Sequence, residues 1–154
     1  MHIGLADTTF SRVDLAAAAI NAIQAAHPKE SITFERYTVP GFKDLPIACK
    51  ILIDKYKCNI VCAFGWVGKE DLDEVCAHEA NLGLIQCELM TNTHILKIFF
   101  HEKETDNKDQ QKSIALDRAQ KHALNAVSIL KGKETLTLSA GTGKRQGYPH
   151  AGGL

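Results

Sequence analysis

The run Asn59-Ile60-Val61-Cys62-Ala63-Phe64 carries no polar side chain after its first residue, and a helix-rich stretch from about Asp71 to Thr91 follows it. A strand that is apolar at every position is apolar on both faces, so both faces must be covered. That excludes a sheet with one wet side and calls for helices above and below a parallel sheet.

The rest of the chain supplies matching units. His2-Ile3-Gly4-Leu5-Ala6 is a short apolar strand stopped by Asp7-Thr8-Thr9, and Val13 to Ala26 reads as a helix opened by a Ser11-x-x-Asp14 capping box. Ser31 to Val39 alternates as a strand and ends at Pro40-Gly41, after which Pro46 to Tyr56 has helical spacing with a proline at its start. Ile95 to Phe100 reads as a fourth strand, His101 to Asp109 as a charged loop, and Ser113 to Lys131 as the last helix. Asp71, Asp73 and Glu74 suit the positive N-terminus of the third helix. Right-handed crossovers fold four such units into an α/β three-layer sandwich around a four-stranded parallel sheet.

The 154 residues read as a single domain, residues 1–154, with a glycine-rich tail from 139 to 154 that a partner would order. Eighteen Lys and Arg balance eighteen Asp and Glu, which argues against a nucleic-acid-binding domain. The five cysteines contain no C-x-x-C pair and sit among apolar residues, as reduced thiols of a cytoplasmic protein do. No apolar stretch approaches the length of a membrane span, and the first residues do not read as a secretion signal.

In parallel sheets of this kind ligands gather beyond the carboxyl ends of the strands. Asp7 to Arg12, Pro40 to Asp44, Trp66 to Glu70 and His101 to Glu104 therefore form the expected rim. Gly65-Trp66-Val67-Gly68-Lys69 lacks the spacing of a phosphate loop and has Glu70 where Ser or Thr is needed, and Gly141-Thr142-Gly143-Lys144 fails likewise. His101-Glu102 at the rim suits acid–base work, whereas His78-Glu79, inside a helix, reads as a hydrogen-bonded structural histidine. Phe10 and Trp66 either stack on a flat heterocycle or cover the ends of the core. Asp44 either meets a ligand hydroxyl or caps a helix.

Several segments resemble the archaeal-type riboflavin synthases, relatives of lumazine synthase. They are Thr8-Thr9-Phe10-x-Arg12-Val13-Asp14, Val39-Pro40-Gly41-x-Lys43-Asp44-Leu45-Pro46-x-Ala48-Cys49-Lys50, Val75-Cys76-Ala77-His78-Glu79-Ala80-x-Leu82-Gly83-Leu84, Leu89-Met90-Thr91 and Arg145-Gln146-Gly147. The resemblance implies a flavodoxin-like fold, a homo-oligomer that is a pentamer, and active sites shared between neighbouring subunits. The implied reaction is a dismutation in which one 6,7-dimethyl-8-ribityllumazine gives four carbons to a second, yielding riboflavin and 5-amino-6-ribitylaminouracil. No organic cofactor takes part; a divalent metal, usually magnesium, is implied by the resemblance alone.

The same resemblance assigns residues. Phe10 matches a ring that stacks on the substrate, Asp44 an acid that meets the ribityl hydroxyls, and Trp66, Val67 and Gly68 the strand end beside the heterocycle. Thr9, Phe42, Lys43 and Lys69 complete the expected binding set, with Arg145 and Gln146 reaching a neighbour's site from the tail. His101 with Glu102 is expected to transfer protons, with His78 in reserve. Lumazine synthases carry a Gly-x-Thr-x-His segment before the third helix, serving a phosphate-bearing substrate and proton transfer. Lys69-Glu70-Asp71-Leu72 stands there in this chain, while Arg118 still matches their phosphate-binding arginine, leaving residual phosphate binding open. Two other readings remain at this point: lumazine synthase itself, and a non-catalytic carrier of lumazine or flavin.

Overall fold

A computed structural model describes residues 1–145 and 149–154. Strands and helices alternate: β1 (His2–Thr8), α1 (Leu15–Ala26), β2 (Thr33–Val39), α2 (Leu45–Asp54), β3 (Ile60–Val67), α3 (Asp71–Thr91), β4 (Ile95–His101) and α4 (Lys108–Leu130). All strand pairs are parallel, in the order β2-β1-β3-β4. This is the α/β sandwich that the all-apolar third strand requires.

Two cores lie on opposite faces of the sheet. Ile3, Leu5, Phe64 and Trp66 point to one face and pack with Ala16, Ala19 and Ile23 of α1 and Ala119, Ala123 and Ala126 of α4. Ala6, Ala63 and Val67 point to the other and meet Leu45, Ala48 and Leu52 of α2 and Ala77 and Leu84 of α3. Small residues on the inner sides of α1 and α4 bring the two helices close to each other and to the sheet. Among the described residues, no helix is long and apolar enough to cross a membrane.

Four local expectations need correction. The first strand does not stop at Ala6: Asp7 and Thr8 pair with Thr38 and Val39, and the buried Asp7 carboxylate accepts from Arg36 and, at 2.6 Å, from Thr38 Oγ1. The third strand runs through Val67, because Gly65, Trp66 and Val67 pair with Phe99, Phe100 and His101. The cap of α1 is Asp14, which accepts from Ala17 N–H at 2.9 Å, whereas Ser11 donates to the Val13 carbonyl at 2.8 Å. Helix α4 starts at Lys108 rather than Ser113, because Asn107 accepts from the N–H groups of Asp109 and Gln110, each at 3.0 Å. That side-chain cap satisfies two of the otherwise unpaired first-turn donors and lets a polar stretch be helical.

Candidate active site

A cavity of about 320 Å³ opens where β1 and β3 end. Its walls are Phe10, the segment Pro40 to Asp44, Gly68 and the first turns of α3 at Asp73 and Cys76. The volume lies at the lower end of small-molecule sites, which run from about 300 to 1,000 Å³.

The two residues best placed for a polyhydroxylated heterocycle are uncommitted. Phe10 is 54% exposed. Asp44 sits at the N-cap position of α2, yet its exposed carboxylate makes no capping bond. The helix takes Pro46 in its first turn, removing one donor that would otherwise need an acceptor. Asp44 is therefore open to ligand hydroxyls. Beside it, Lys43 Nζ pairs with Glu79 Oε2 at 2.7 Å, and both groups are exposed.

The floor is set by a glycine. A Cβ on Gly65 would stand 2.3 Å from Phe42 Cε1 and 2.8 Å from Phe99 Cδ1, so the absent side chain lets the Phe42 ring lie on the strand. There Phe42 meets Phe99 edge-on, with centroids 5.0 Å apart. At Gly68 the space of a Cβ is filled by Asp73 Oδ2, 2.2 Å away.

Trp66 departs from the stacking expectation. Its residue borders the cavity, but it is only 2% exposed and its ring lies against Phe100 at 4.6 Å inside the α1–α4 core. Position 66 is within the strand, and its side chain takes the face opposite to Gly65 and Val67. The indole N–H donates to Glu102 Oε1 at 2.6 Å, and Arg12 pairs with the same oxygen at 3.4 Å.

His101 and Glu102 are neighbours in sequence but do not act on each other. His101 Nδ1 faces Glu74 Oε2 of α3 at 2.9 Å, leaving Nε2 without a partner among the described residues. Glu74, legible beforehand only as a helix-dipole residue, is thus the group that orients the imidazole. His78 is exposed, and its side chain makes no hydrogen bond among the described residues, in contrast to the structural role expected of it. The helix turns Ala77 and Ala80 to the sheet and His78 away from it.

The remaining expected residues lie outside the cavity wall. Val67 is buried in the α2–α3 core. Lys69 pairs with Asp106, and Thr9 borders a separate hollow with Asp7 and Arg12. Arg145 is exposed, its backbone N–H donating to His150 Nδ1 at 3.1 Å, and Gln146 lies outside the described residues.

Arg118 is buried, and its guanidinium is held by both carboxylate oxygens of Glu104, at 2.7 and 2.6 Å. Burial pushes the Glu104 carboxyl up, but hydrogen bonds from Arg118 and from His101 N–H outweigh it and hold the group below its ordinary range. This pair was not legible, since nothing in the spacing links positions 104 and 118.

Among the described residues, no three His, Cys, Asp or Glu side chains converge to hold a metal ion. Three carboxylates near the end of β4 are engaged, Glu74 by His101, Glu102 by Trp66 and Arg12, and Glu104 by Arg118, whereas that of Asp44 is not.

The family model described as 6,7-dimethyl-8-ribityllumazine synthase matches residues 1–134. The chain belongs to the lumazine synthase family. Its relatives within that family are of the archaeal riboflavin synthase type. The riboflavin synthase of Methanothermobacter thermautotrophicus is 49% identical over 154 residues, covering 100% of this chain and 99% of the relative. That of Archaeoglobus fulgidus is 43% identical over 152 residues, 99% and 97% of the two chains. That of Aeropyrum pernix is 40% identical over 151 residues, 97% and 96%. The four-stranded parallel sheet flanked by helices is consistent with the lumazine synthase family.

Proposed function

We propose that this protein is a riboflavin synthase, converting two molecules of 6,7-dimethyl-8-ribityllumazine into riboflavin and 5-amino-6-ribitylaminouracil. The observation that carries the reading is the identity of 40–49% with riboflavin synthases over nearly the whole of both chains. The open ring of Phe10 and the uncommitted carboxylate of Asp44 suit it, one for the heterocycle and one for the ribityl hydroxyls.

In this reading His101 removes a proton from the acidic 7-methyl group through Nε2, oriented by Glu74 at Nδ1. A base whose second nitrogen is held by a carboxylate has its tautomer and direction fixed. Glu102 holds Trp66 and Arg12, and His78 is the alternative proton carrier. Holding both substrates in reacting geometry supplies much of the acceleration, since effective molarities reach about 10⁵ M or more.

We further infer a homo-oligomer, a pentamer in which neighbours share the site. One cavity of about 320 Å³ has room for one substrate, whereas the reaction consumes two. His101 is not in the wall of its own protomer's cavity, and α3 exposes Leu72, Val75, Leu82, Ile85, Leu89 and Met90. Apolar residues exposed along one helix in this number mark a protein interface. The tail after Leu138 reaches a neighbour in this arrangement. The free, mostly buried cysteines support a cytoplasmic setting.

The test is incubation with 6,7-dimethyl-8-ribityllumazine, with magnesium and after chelation, following riboflavin by absorbance and chromatography. One riboflavin per two lumazines consumed is the expected result. Lumazine bound but unchanged would make the protein a carrier, and consumption of a four-carbon phosphate would make it a lumazine synthase. Light scattering of the eluted protein reads the subunit number.

A further inference from the structure

The alternation of β1 decides where its last side chain lies. Leu5 belongs to the α1–α4 core and Ala6 to the α2–α3 core, so Asp7 takes the first face, where Arg36 meets it, and Thr8 takes the second. Thr8 borders the hollow shared by Asp7 and Arg12, but its side chain is turned to the other face. On that face it pairs with Val39 on one side, and the register that sets Ala6 against Ala63 brings it level with Gly65 on the other. This is the floor of the cavity, where the Phe42 ring fills the space of the missing Gly65 side chain.

Thr8 is only 4% exposed, and its Oγ1 has no hydrogen-bond partner among the described residues. No other buried side-chain nitrogen or oxygen among them is left in this way. Thr9 and Thr38, its neighbours in the chain and across the strands, both donate, to the Pro40 carbonyl and to Asp7. A buried hydroxyl costs free energy until something pairs with it, and valine would fill the same volume in a strand without that cost. The hydroxyl is explained by a partner that arrives with the ligand.

We propose that Thr8 is a substrate-binding residue kept under cover in the free protein: when the heterocycle enters the cavity the Phe42 ring gives way, and Thr8 Oγ1 hydrogen-bonds to the polar edge of the ligand ring. Phe42 stands on a single 3-10 turn, Phe42–Asp44, and among the described residues no atom lies within 4 Å of where a Cβ on the preceding Gly41 would stand, so that side of the turn is unrestrained. A hydroxyl both donates and accepts, so it meets either a carbonyl or an N–H of a pyrimidinedione edge. The inference rests on the proposed function for the identity of its ligand.

The experiment is fluorescence titration of the full-length protein with riboflavin, which carries the same ring edge and is not turned over alone, together with thermal midpoints of the ligand-free proteins. Thr8→Val is expected to melt at or above the wild-type temperature, because an unpaired hydroxyl is replaced by a methyl group, and to bind riboflavin roughly tenfold more weakly. Thr8→Ser, which keeps the hydroxyl and loses packing, is expected to melt lower and yet to bind with close to wild-type affinity. A lower midpoint in Thr8→Val overturns the proposal whatever its affinity, since the hydroxyl would then have a partner in the free protein, such as a buried water. Unchanged binding by Thr8→Val, or binding by Thr8→Ser as weak as by Thr8→Val, overturns it as well. A wild type that binds riboflavin but forms none from lumazine fails the proposed activity and leaves these comparisons decisive, whereas a wild type that binds no riboflavin overturns the proposal without any variant.

Discussion

Trp66 and Glu102, 36 positions apart, are joined by a hydrogen bond of 2.6 Å from the indole N–H to Oε1. The bond fastens the turn after β4 to a ring in the core. Glu102→Ala removes the acceptor of a buried donor, which costs about 1–3 kcal/mol. Trp66 is the only tryptophan, so its emission reports the change directly. A lower denaturant midpoint with altered fluorescence is expected; a variant matching the wild type in both would show that the bond contributes nothing.

Gly65 is predicted to be intolerant of even one methyl group. Gly65→Ala sets a Cβ against Phe42 and Phe99, and overpacking of this kind costs about 1–3 kcal/mol. Because Phe42 also lines the cavity, the KM for lumazine should rise along with the loss of stability. Thermal denaturation and steady-state kinetics on the same preparation test both halves, and an unchanged KM would separate Phe42 from substrate.

His101→Gln should lower kcat by about 10²–10⁴ with little change in KM, the signature of a lost proton transfer. Glu74→Gln should act in the same direction but less, since the imidazole remains while its orienting carboxylate is gone. A near-normal kcat in His101→Gln would move the proton transfer to His78.

Acid should weaken the fold in two separate windows. Burial lowers the pKa of His122 below its ordinary 6.5, and the charge of Arg118 adds to the effect. The unfolded chain then takes up a proton first, so this contribution is complete above about 6.5 and is lost as pH falls through the folded value. Glu104 is held below its ordinary 4.5, so its contribution is complete above that value and is lost at still lower pH. Denaturant midpoints measured from pH 8 to 4 should fall first below about 6.5, and His122→Gln should flatten that first segment alone. An equal decline in the variant would assign it to other groups.

How much of this was legible depended on the range of the interaction. The apolar runs of β1, β3 and β4 and the alternation of β2 are local, and so are the helix periods, hence the strand–helix order and the carboxyl-edge rim could be read directly. Phe10 and Asp44 could be placed at the rim, where they border the cavity, because each follows a strand. Trp66 was misplaced because Gly65 and Gly68 suggested a loop, whereas pairing with β4 continues the strand to Val67. Glu74 and Glu104 were missed as partners because His101 and Arg118 reach them only after α3 and α4 have packed on the sheet. The start of α4 was missed because the polar residues after Asn107 have no apolar period, and one side-chain cap decides them.

The sheet has two open margins, β2 and β4, and each exposes unpaired backbone groups that could template a further strand from another chain. Both margins carry charge in mid-strand: Glu35 and Arg36 on β2, Lys97 on β4. An incoming strand would have to desolvate Glu35 together with the ion pairs that Arg36 makes with Asp7 and Lys97 makes with Glu88. End-to-end sheet growth, which propagates without limit, is thereby disfavoured at both margins.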